Sequence, residues 1–380
     1  MFLDYKLRNF RFGLVICTLA LSVIGVLVIR SASAGSMDDT RVTRQIIGIG
    51  AGLTIALILS LIDYHRILNI CVIIYLVCLG LLVWVLINGV MRGGATRWVV
   101  LPVLGQLQPS EFTKIGLIIF FSWYFDRYQE KINQVSVLMA TAVLFGLPVL
   151  LILAEPNLST SLIMIMIFAA MIFAAGLSYK WIFGALAVLA PVATLLIYLL
   201  RYGLLSFEEI PFLRGYQAGR ILSFLDPTQN QDANWQQDNS VMAIGSGQLW
   251  GKGLNNTTIA SVKNGNFLSE ESTDFIFAII GEELGFVGSL IVLGLFLLVI
   301  YECLLAARRA KDVGGKLLCT GIAALIGCQS FSNIAVATRL FPNTGLPLPF
   351  ISYGVSSLIS MYLGVGIVLN VGLQRKSVYE

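Results

Sequence analysis

The chain has 380 residues, of which 57% are hydrophobic and only 12% charged, against roughly 45–50% and about 25% in soluble domains. Its mean hydropathy of +0.85 excludes a soluble globular protein and leaves a polytopic membrane protein. The balance of 25 Lys and Arg against 21 Asp and Glu is too even to suggest a nucleic-acid partner, so what matters is where the basic residues sit.

The N-terminus carries Lys6, Arg8 and Arg11, followed by the apolar run Phe12 to Ile29. That run of 18 residues exceeds the roughly 7–15 of a signal-peptide core. It reads as a retained first span, although Ala32-Ser33-Ala34 imitates a cleavage site. Nine further apolar stretches have spanning length: about 44–62, 68–90, 109–125, 133–153, 158–176, 179–200, 275–303, 317–338 and 350–372. The expected fold class is therefore all-α, with about ten transmembrane helices in a single domain over residues 1–380. The one long polar segment, 201–274, falls between the seventh and eighth helices. With the N-terminus inside, the inner segments hold thirteen Lys and Arg (Arg66, Arg127 and Arg308 among them), and the outer short loops hold six. The positive-inside rule then puts both termini in the cytoplasm and the 201–274 loop outside.

All six cysteines lie in or at the ends of apolar spans, without zinc-ligand spacing, and read as small apolar residues. The single histidine, His65, stands in a short basic loop, which removes Ser-His and Cys-His catalysis from consideration. In the long loop, Gly245-Ser246-Gly247-Gln248-Leu249-Trp250-Gly251-Lys252-Gly253 resembles a P-loop but has the wrong spacing and no Ser or Thr after Lys252. A glycine-rich turn at the membrane surface is the better reading.

Charges within spans are costly and are read first as functional. Glu111 and Lys114 lie three apart behind Pro109, on one helix face. They are either a neutralising structural pair or a pair whose Lys also receives phosphate. Arg97 and Trp98 contact a lipid headgroup or sugar, or simply anchor the chain at the interface. The stretch Asn264 to Gly288 runs from a polar loop into an apolar helix and carries Asp274, Glu282 and Glu283. Asp274 at the junction is either a helix cap or a working carboxylate. Gly281 and Gly285 allow a close helix contact below it. The tenth span opens with Pro342 to Ser357, which has three prolines and two glycines before Val355. Such irregular backbone survives at membrane depth only when buried in protein or lining a cavity, and Ser352 in it is a candidate binding residue.

Taken together, Gly94 to Trp98, Gln108 to Glu111 with Lys114, Glu155 to Thr160, Arg220 to Pro227, Ala243 to Leu254, Thr273 to Gly285 and Gly345 to Ser357 resemble the SEDS family (shape, elongation, division and sporulation), the group containing RodA, FtsW and SpoVE. The resemblance implies ten helices with a large loop after the seventh. It also implies an inverting peptidoglycan glycosyltransferase of the bacterial cytoplasmic membrane that polymerises lipid II at the outer surface. The family's essential Asp maps onto Asp274, and the charged residues after the Gln-Pro-Ser motif map onto Glu111 and Lys114. The substrate-binding candidates are thus Glu111, Lys114, Arg97, Trp98, Arg220, Glu282 and Ser352. A divalent cation (Mg or Mn), with Asp274 as its candidate ligand, could assist the leaving pyrophosphate; no organic cofactor is expected. The expected partners are lipid II, membrane lipids and a class B penicillin-binding protein. The chain departs from the family pattern at Asn157, Ser159, Ser272 and Val355. A transporter or flippase of the same lipid is the rival reading, since intramembrane charges and a broken helix also suit transport.

Overall fold

The computed structural model describes residues 9–33, 40–92, 95–101, 105–201, 224, 231–255, 271–343 and 345–374. In chain order its helices are α1 (Phe12–Ala32), α2 (Thr40–Leu61), the short α3 (Tyr64–Asn69), α4 (Cys71–Asn88), α5 (Pro109–Arg127), α6 (Val135–Ala154), α7 (Leu158–Ala174), α8 (Tyr179–Arg201), α9 (Gln231–Ser246), α10 (Ile276–Arg308), α11 (Val313–Ala337) and α12 (Val355–Leu373). A helix overlaps every expected apolar stretch. Among the described residues, seven helices (α1, α2, α4, α6, α10, α11 and α12) are long and apolar enough to cross a membrane. α5 misses that measure because Glu111, Lys114, Asp126 and Arg127 lie at its ends.

The helices sort by which faces they bury. Along α5, every residue from Pro109 to Phe125 except Phe112 and Trp123 is buried, and α11 and α12 are nearly as enclosed. These three form the centre. α1, α2, α4 and α6 instead turn side chains such as Ile16, Ile47, Ile73 and Met139 outward, as helices apolar all round do when lipid is their solvent. Small residues set the closest approaches. A Cβ on Gly52 would meet the ring of Tyr362 at 2.5 Å, and one on Gly366 would meet Ala56 O at 2.8 Å, so α2 and α12 pack almost backbone to backbone.

Between α4 and α5 the chain forms a small antiparallel sheet that the helical reading did not anticipate: β1 (Val90–Arg92), β2 (Ala95–Leu101) and β3 (Gly105–Leu107), in that spatial order. Val90 pairs with Trp98 and Val99 with Leu107, so β2 is the central strand and carries both Arg97 and Trp98.

α10 departs from the expected unbroken helix. Gly285 sits inside it at φ 66° and ψ −163°, and the helical ladder is interrupted there. The freed groups are satisfied by the glycine-rich turn of the long loop. Lys252 N donates to Glu282 O (2.9 Å), Gly253 N to Glu283 O (3.0 Å), Phe286 N to Gln248 O (2.8 Å) and Val287 N to Leu249 O (3.1 Å). Only glycines permit this approach: a Cβ on Gly247 would lie 1.9 Å from Gly281 O, and one on Gly285 would lie 2.3 Å from Gly251 N. Gly285→Ala is expected to cost about 1–3 kcal/mol from the left-handed backbone alone. The measurement is thermal unfolding, paired with limited proteolysis at residues 248–253; unchanged values in both would show that the break carries no strain.

At the far end of α12 a polar latch ties the bundle together. His65 contacts Asp63 (2.8 Å) and Asp312 (2.7 Å) through its two ring nitrogens, and Tyr64 donates to Asp312 (2.8 Å). Asn370 of α12 accepts from Tyr64 N and donates to Ser60 O, each at 2.8 Å. Partial burial works against a charged imidazole, but the hydrogen bonds and charges of Asp63 and Asp312 outweigh it and raise the His65 pKa. A raised folded pKa means the stabilisation is complete below the ordinary value near 6.5 and fades as pH rises through the folded pKa. His65→Gln is therefore expected to remove a pH-dependent part of stability that is full below about pH 6.5 and fades above it. Its size is that of a half-exposed pair, about 0.2–1 kcal/mol, and melting profiles on both sides of that pH would read it; identical profiles would show that the latch is pH-independent.

Candidate functional site

The residues just before α10 are held from three sides. Ser272 O accepts from Tyr353 N (2.8 Å), Thr273 O from the Ser352 hydroxyl (2.6 Å) and Asp274 O from Asn333 Nδ2 (2.8 Å). Three successive carbonyls are thus fixed by the segment preceding α12 and by α11, and Arg41 of α2 adds a bond to the Ser272 hydroxyl (3.2 Å). The N-cap position of α10 belongs to Phe275, which supplies no side-chain cap. Asp274 therefore stands one residue outside the helix, half-buried, on a backbone that cannot drift.

The irregular segment 345–354 is enclosed by protein, as its composition requires. Asn333 Nδ2 also donates to Leu346 O (2.6 Å), Gln329 Nε2 to Pro347 O (3.0 Å) and Gln45 Nε2 to Ser352 O (3.2 Å), while the Ser352 hydroxyl accepts from Leu348 N (2.7 Å). Side chains have taken over the role of a helical ladder. Ser352 is 5% exposed and braces Thr273 through its hydroxyl; this makes it a positioning residue.

Below this lies the intramembrane ion pair. Lys114 Nζ donates to Glu111 Oε1 (2.8 Å) and to Gln329 Oε1 (2.7 Å), and both charged residues are at most 2% exposed. Ser360 of α12 lies 3.5 Å from the other Glu111 oxygen. Gln329 and Asn333 are four residues apart, on one face of α11, about 6 Å along its axis. One helical turn of α11 therefore joins the Lys114 network to the Asp274 junction. Neither Gln329 nor Asn333 was singled out from sequence, although lone amides in an apolar span are the usual glue between membrane helices.

The other candidates fall elsewhere. Glu282 is fully buried, and its carboxylate pairs with Lys252 of the glycine-rich turn at 2.7 Å, so it fastens the loop to the broken helix. Glu283 accepts from Ser31 of α1. Arg97 donates from Nε to Glu155 O (3.4 Å) and from Nη2 to Pro156 O, holding the turn between α6 and α7. Trp98 is half-buried beside it on β2. Arg220 lies outside the described residues.

Residues 12–377 match the sequence profile of the FtsW, RodA and SpoVE cell cycle proteins. The chain belongs to this family. Among its relatives in the FtsW/RodA/SpoVE family is a probable peptidoglycan glycosyltransferase FtsW of Trichlorobacter lovleyi, 34% identical over 98% of this chain and 95% of the relative. Stage V sporulation protein E of Bacillus subtilis is 34% identical over 94% of this chain and 95% of its own length. Peptidoglycan glycosyltransferase MrdB of Escherichia coli is 33% identical, with coverages of 96% and 93%. The solved structures agree. RodA of Thermus thermophilus superposes with a TM-score of 0.69 at 26% identity, covering 97% of this chain and 98% of RodA. A chain of a peptidoglycan synthase complex that coordinates polymerization and crosslinking gives 0.76 at 29% identity, with coverages of 96% and 97%. The family likeness thus runs nearly the length of the chain.

Proposed function

We propose that this chain is a peptidoglycan glycosyltransferase that polymerises lipid II into glycan strands at the outer face of the cytoplasmic membrane. The observation that carries this reading is the braced Asp274, one turn of α11 away from an enclosed Glu111–Lys114 pair. Asp274 accepts the proton of the acceptor sugar's 4-hydroxyl. The hydroxyl oxygen attacks the donor's anomeric carbon, the bond to pyrophosphate breaks on the opposite face, and the centre inverts. A positioned base of this kind contributes about 10²–10⁴ in rate.

Pyrophosphate leaves with negative charge that must be met. Lys114, Arg97 and Arg220 are the basic residues assigned to it, Lys114 through an ammonium it shares with Glu111. A bound divalent cation would supply the same neutralisation. Among the described residues no three His, Cys, Asp or Glu side chains gather into a cage, but magnesium completed by substrate phosphates requires only one or two carboxylates. Asp274 fits that smaller demand. In this reading both termini are cytoplasmic, the 201–274 loop faces outward, and a class B penicillin-binding protein crosslinks the strands made here. The resemblance supports that partner, and the positive-inside distribution supports the orientation.

The test is the purified chain, in detergent or liposomes, given lipid II. A ladder of glycan polymer on gels is expected. Translocation of lipid II across liposomes without polymer would replace the polymerase reading with the flippase one.

A further inference from the structure

The turn between α6 and α7, Glu155-Pro156-Asn157, takes no part in the chemistry above, yet it holds the least satisfied polar group in the described structure. Glu155 is 1% exposed, and both its carboxyl oxygens are buried without a hydrogen-bond partner, the only described carboxyl for which that is so. Asn157 is 2% exposed; its Oδ1 accepts from Thr160 N (3.3 Å) while its Nδ2 has no partner. Arg97 is the obvious counter-ion, and its positive charge opposes the effect of burial on Glu155. Its guanidinium nevertheless spends Nε and Nη2 on the carbonyls of Glu155 and Pro156. The turn's backbone is held, and the carboxyl is left open.

The turn lies at the same end of the bundle as Asp274. α7 and α11 run antiparallel: Lys316 Nζ reaches Ala174 O (3.2 Å), and a Cβ on Gly321 would lie 3.0 Å from Met171 Sδ. Eleven residues outward from that second contact, along both helices, bring Thr160 level with Ser332. Ser332 Oγ and Asn333 Oδ1 are likewise buried without partners, and Asn333 is the residue that holds the Asp274 carbonyl. Unsatisfied buried polar atoms in a native protein call for an explanation, and these fall within about two helical turns of one another along the bundle axis.

Their chemistry selects the ligand. Burial pushes the Glu155 pKa up to about 8 against the pull of Arg97, so near neutral pH the carboxyl offers both an O–H donor and a carbonyl acceptor. Amides and a hydroxyl complete the set. A neutral ligand dense in hydroxyl and amide groups matches it; a phosphate would take the cations, and an isoprenoid chain has nothing to bond. We propose that Glu155 and Asn157, with Ser332 and Asn333 near the facing end of α11, form a subsite for the uncharged N-acetylated sugar of the lipid-linked substrate, with Glu155 as its specificity-determining residue. This rests on the polymerase reading for the identity of the substrate.

The test compares the melting temperature of the full-length chain, without ligand, with undecaprenyl pyrophosphate and with lipid II stripped of its peptide, so that the two lipids differ by the disaccharide alone. In wild type, the peptide-free lipid II is expected to stabilise more than the sugar-free lipid; the absence of that sugar increment would overturn the subsite. Glu155→Leu should lose the increment, keep the shift from undecaprenyl pyrophosphate, and melt without ligand no lower than wild type, since it removes an unbonded buried group. Glu155→Gln keeps a donor and an acceptor and should retain most of the increment. In the polymerisation assay the Leu variant should raise KM for lipid II by about 2–10-fold, the worth of one lost hydrogen bond, with kcat little changed. Wild-type KM should rise above pH 8 as Glu155 ionises, and that of the Gln variant should not. A Leu variant that keeps the sugar increment, or loses both shifts, overturns the proposal. A wild-type sugar increment without any polymer overturns the polymerase reading and leaves the subsite standing.

Discussion

Asp274→Asn is expected to fold, bind lipid II and lose nearly all glycan polymerisation. The substitution keeps size and hydrogen-bonding capacity and removes only the base and its charge. The brace around residue 274 acts through backbone carbonyls, with Asn333, Ser352 and Tyr353 as donors, and a side-chain change leaves those bonds in place. Capping is not at stake either, because the N-cap position of α10 is Phe275. The melting temperature should therefore stay close to wild type while the polymerisation rate falls by about 10²–10⁴, the worth of a general base. Asp274→Glu tests position separately from charge. It restores the carboxylate but moves it outward by over an ångström, a displacement of the size that costs about 10²-fold. If the folded Asn variant polymerised at the wild-type rate, Asp274 would be a structural residue and the base would have to be sought elsewhere.

Asp274 was legible in the sequence because a carboxylate at the mouth of an apolar helix is costly and so asks for a reason. Glu111 and Lys114 were legible for the same reason, since their spacing of three puts them on one face. What holds these groups in place was not legible. Gln329 and Asn333 are amides in a span that reads as apolar, and their bonds go to residues brought near only by the fold. The break in α10 was hidden for a related reason. Gly281 and Gly285 read as a helix-contact motif, whereas their partners, Gly247 and Gly251, repeat the same spacing in a loop more than thirty residues earlier. The pairing of two equal glycine spacings was the available signal. The strands around Arg97 escaped notice because three short stretches between apolar helices carry little periodicity.

Lys114→Met should be among the most destabilising single changes in the protein, at about 3–5 kcal/mol, because it leaves Glu111 charged and buried without its partner. The pair is enclosed, with side chains 0% and 3% exposed, so water cannot replace the lost ammonium. Replacing both residues, as Glu111→Leu with Lys114→Met, removes the uncompensated charge. Double apolar replacements of buried ion pairs are often neutral or stabilising. Here recovery should fall short of wild type, because Gln329 Oε1 loses its donor and an unmade buried hydrogen bond costs about 1–3 kcal/mol. The double variant should thus melt above the single variant and somewhat below wild type. Activity then separates scaffolding from chemistry. If Lys114 serves only to neutralise Glu111, the double variant should polymerise lipid II nearly as well as it folds. The location of the network argues for the other outcome: Gln329 carries it to within one turn of the Asn333 that fixes Asp274, where the proposed reaction would need positive charge for its leaving pyrophosphate. The expected result is a folded double variant with its rate reduced by at least about a hundredfold, comparable to the removal of one preorganised electrostatic group. Polymerisation restored in step with the melting temperature would reduce Glu111 and Lys114 to a structural pair.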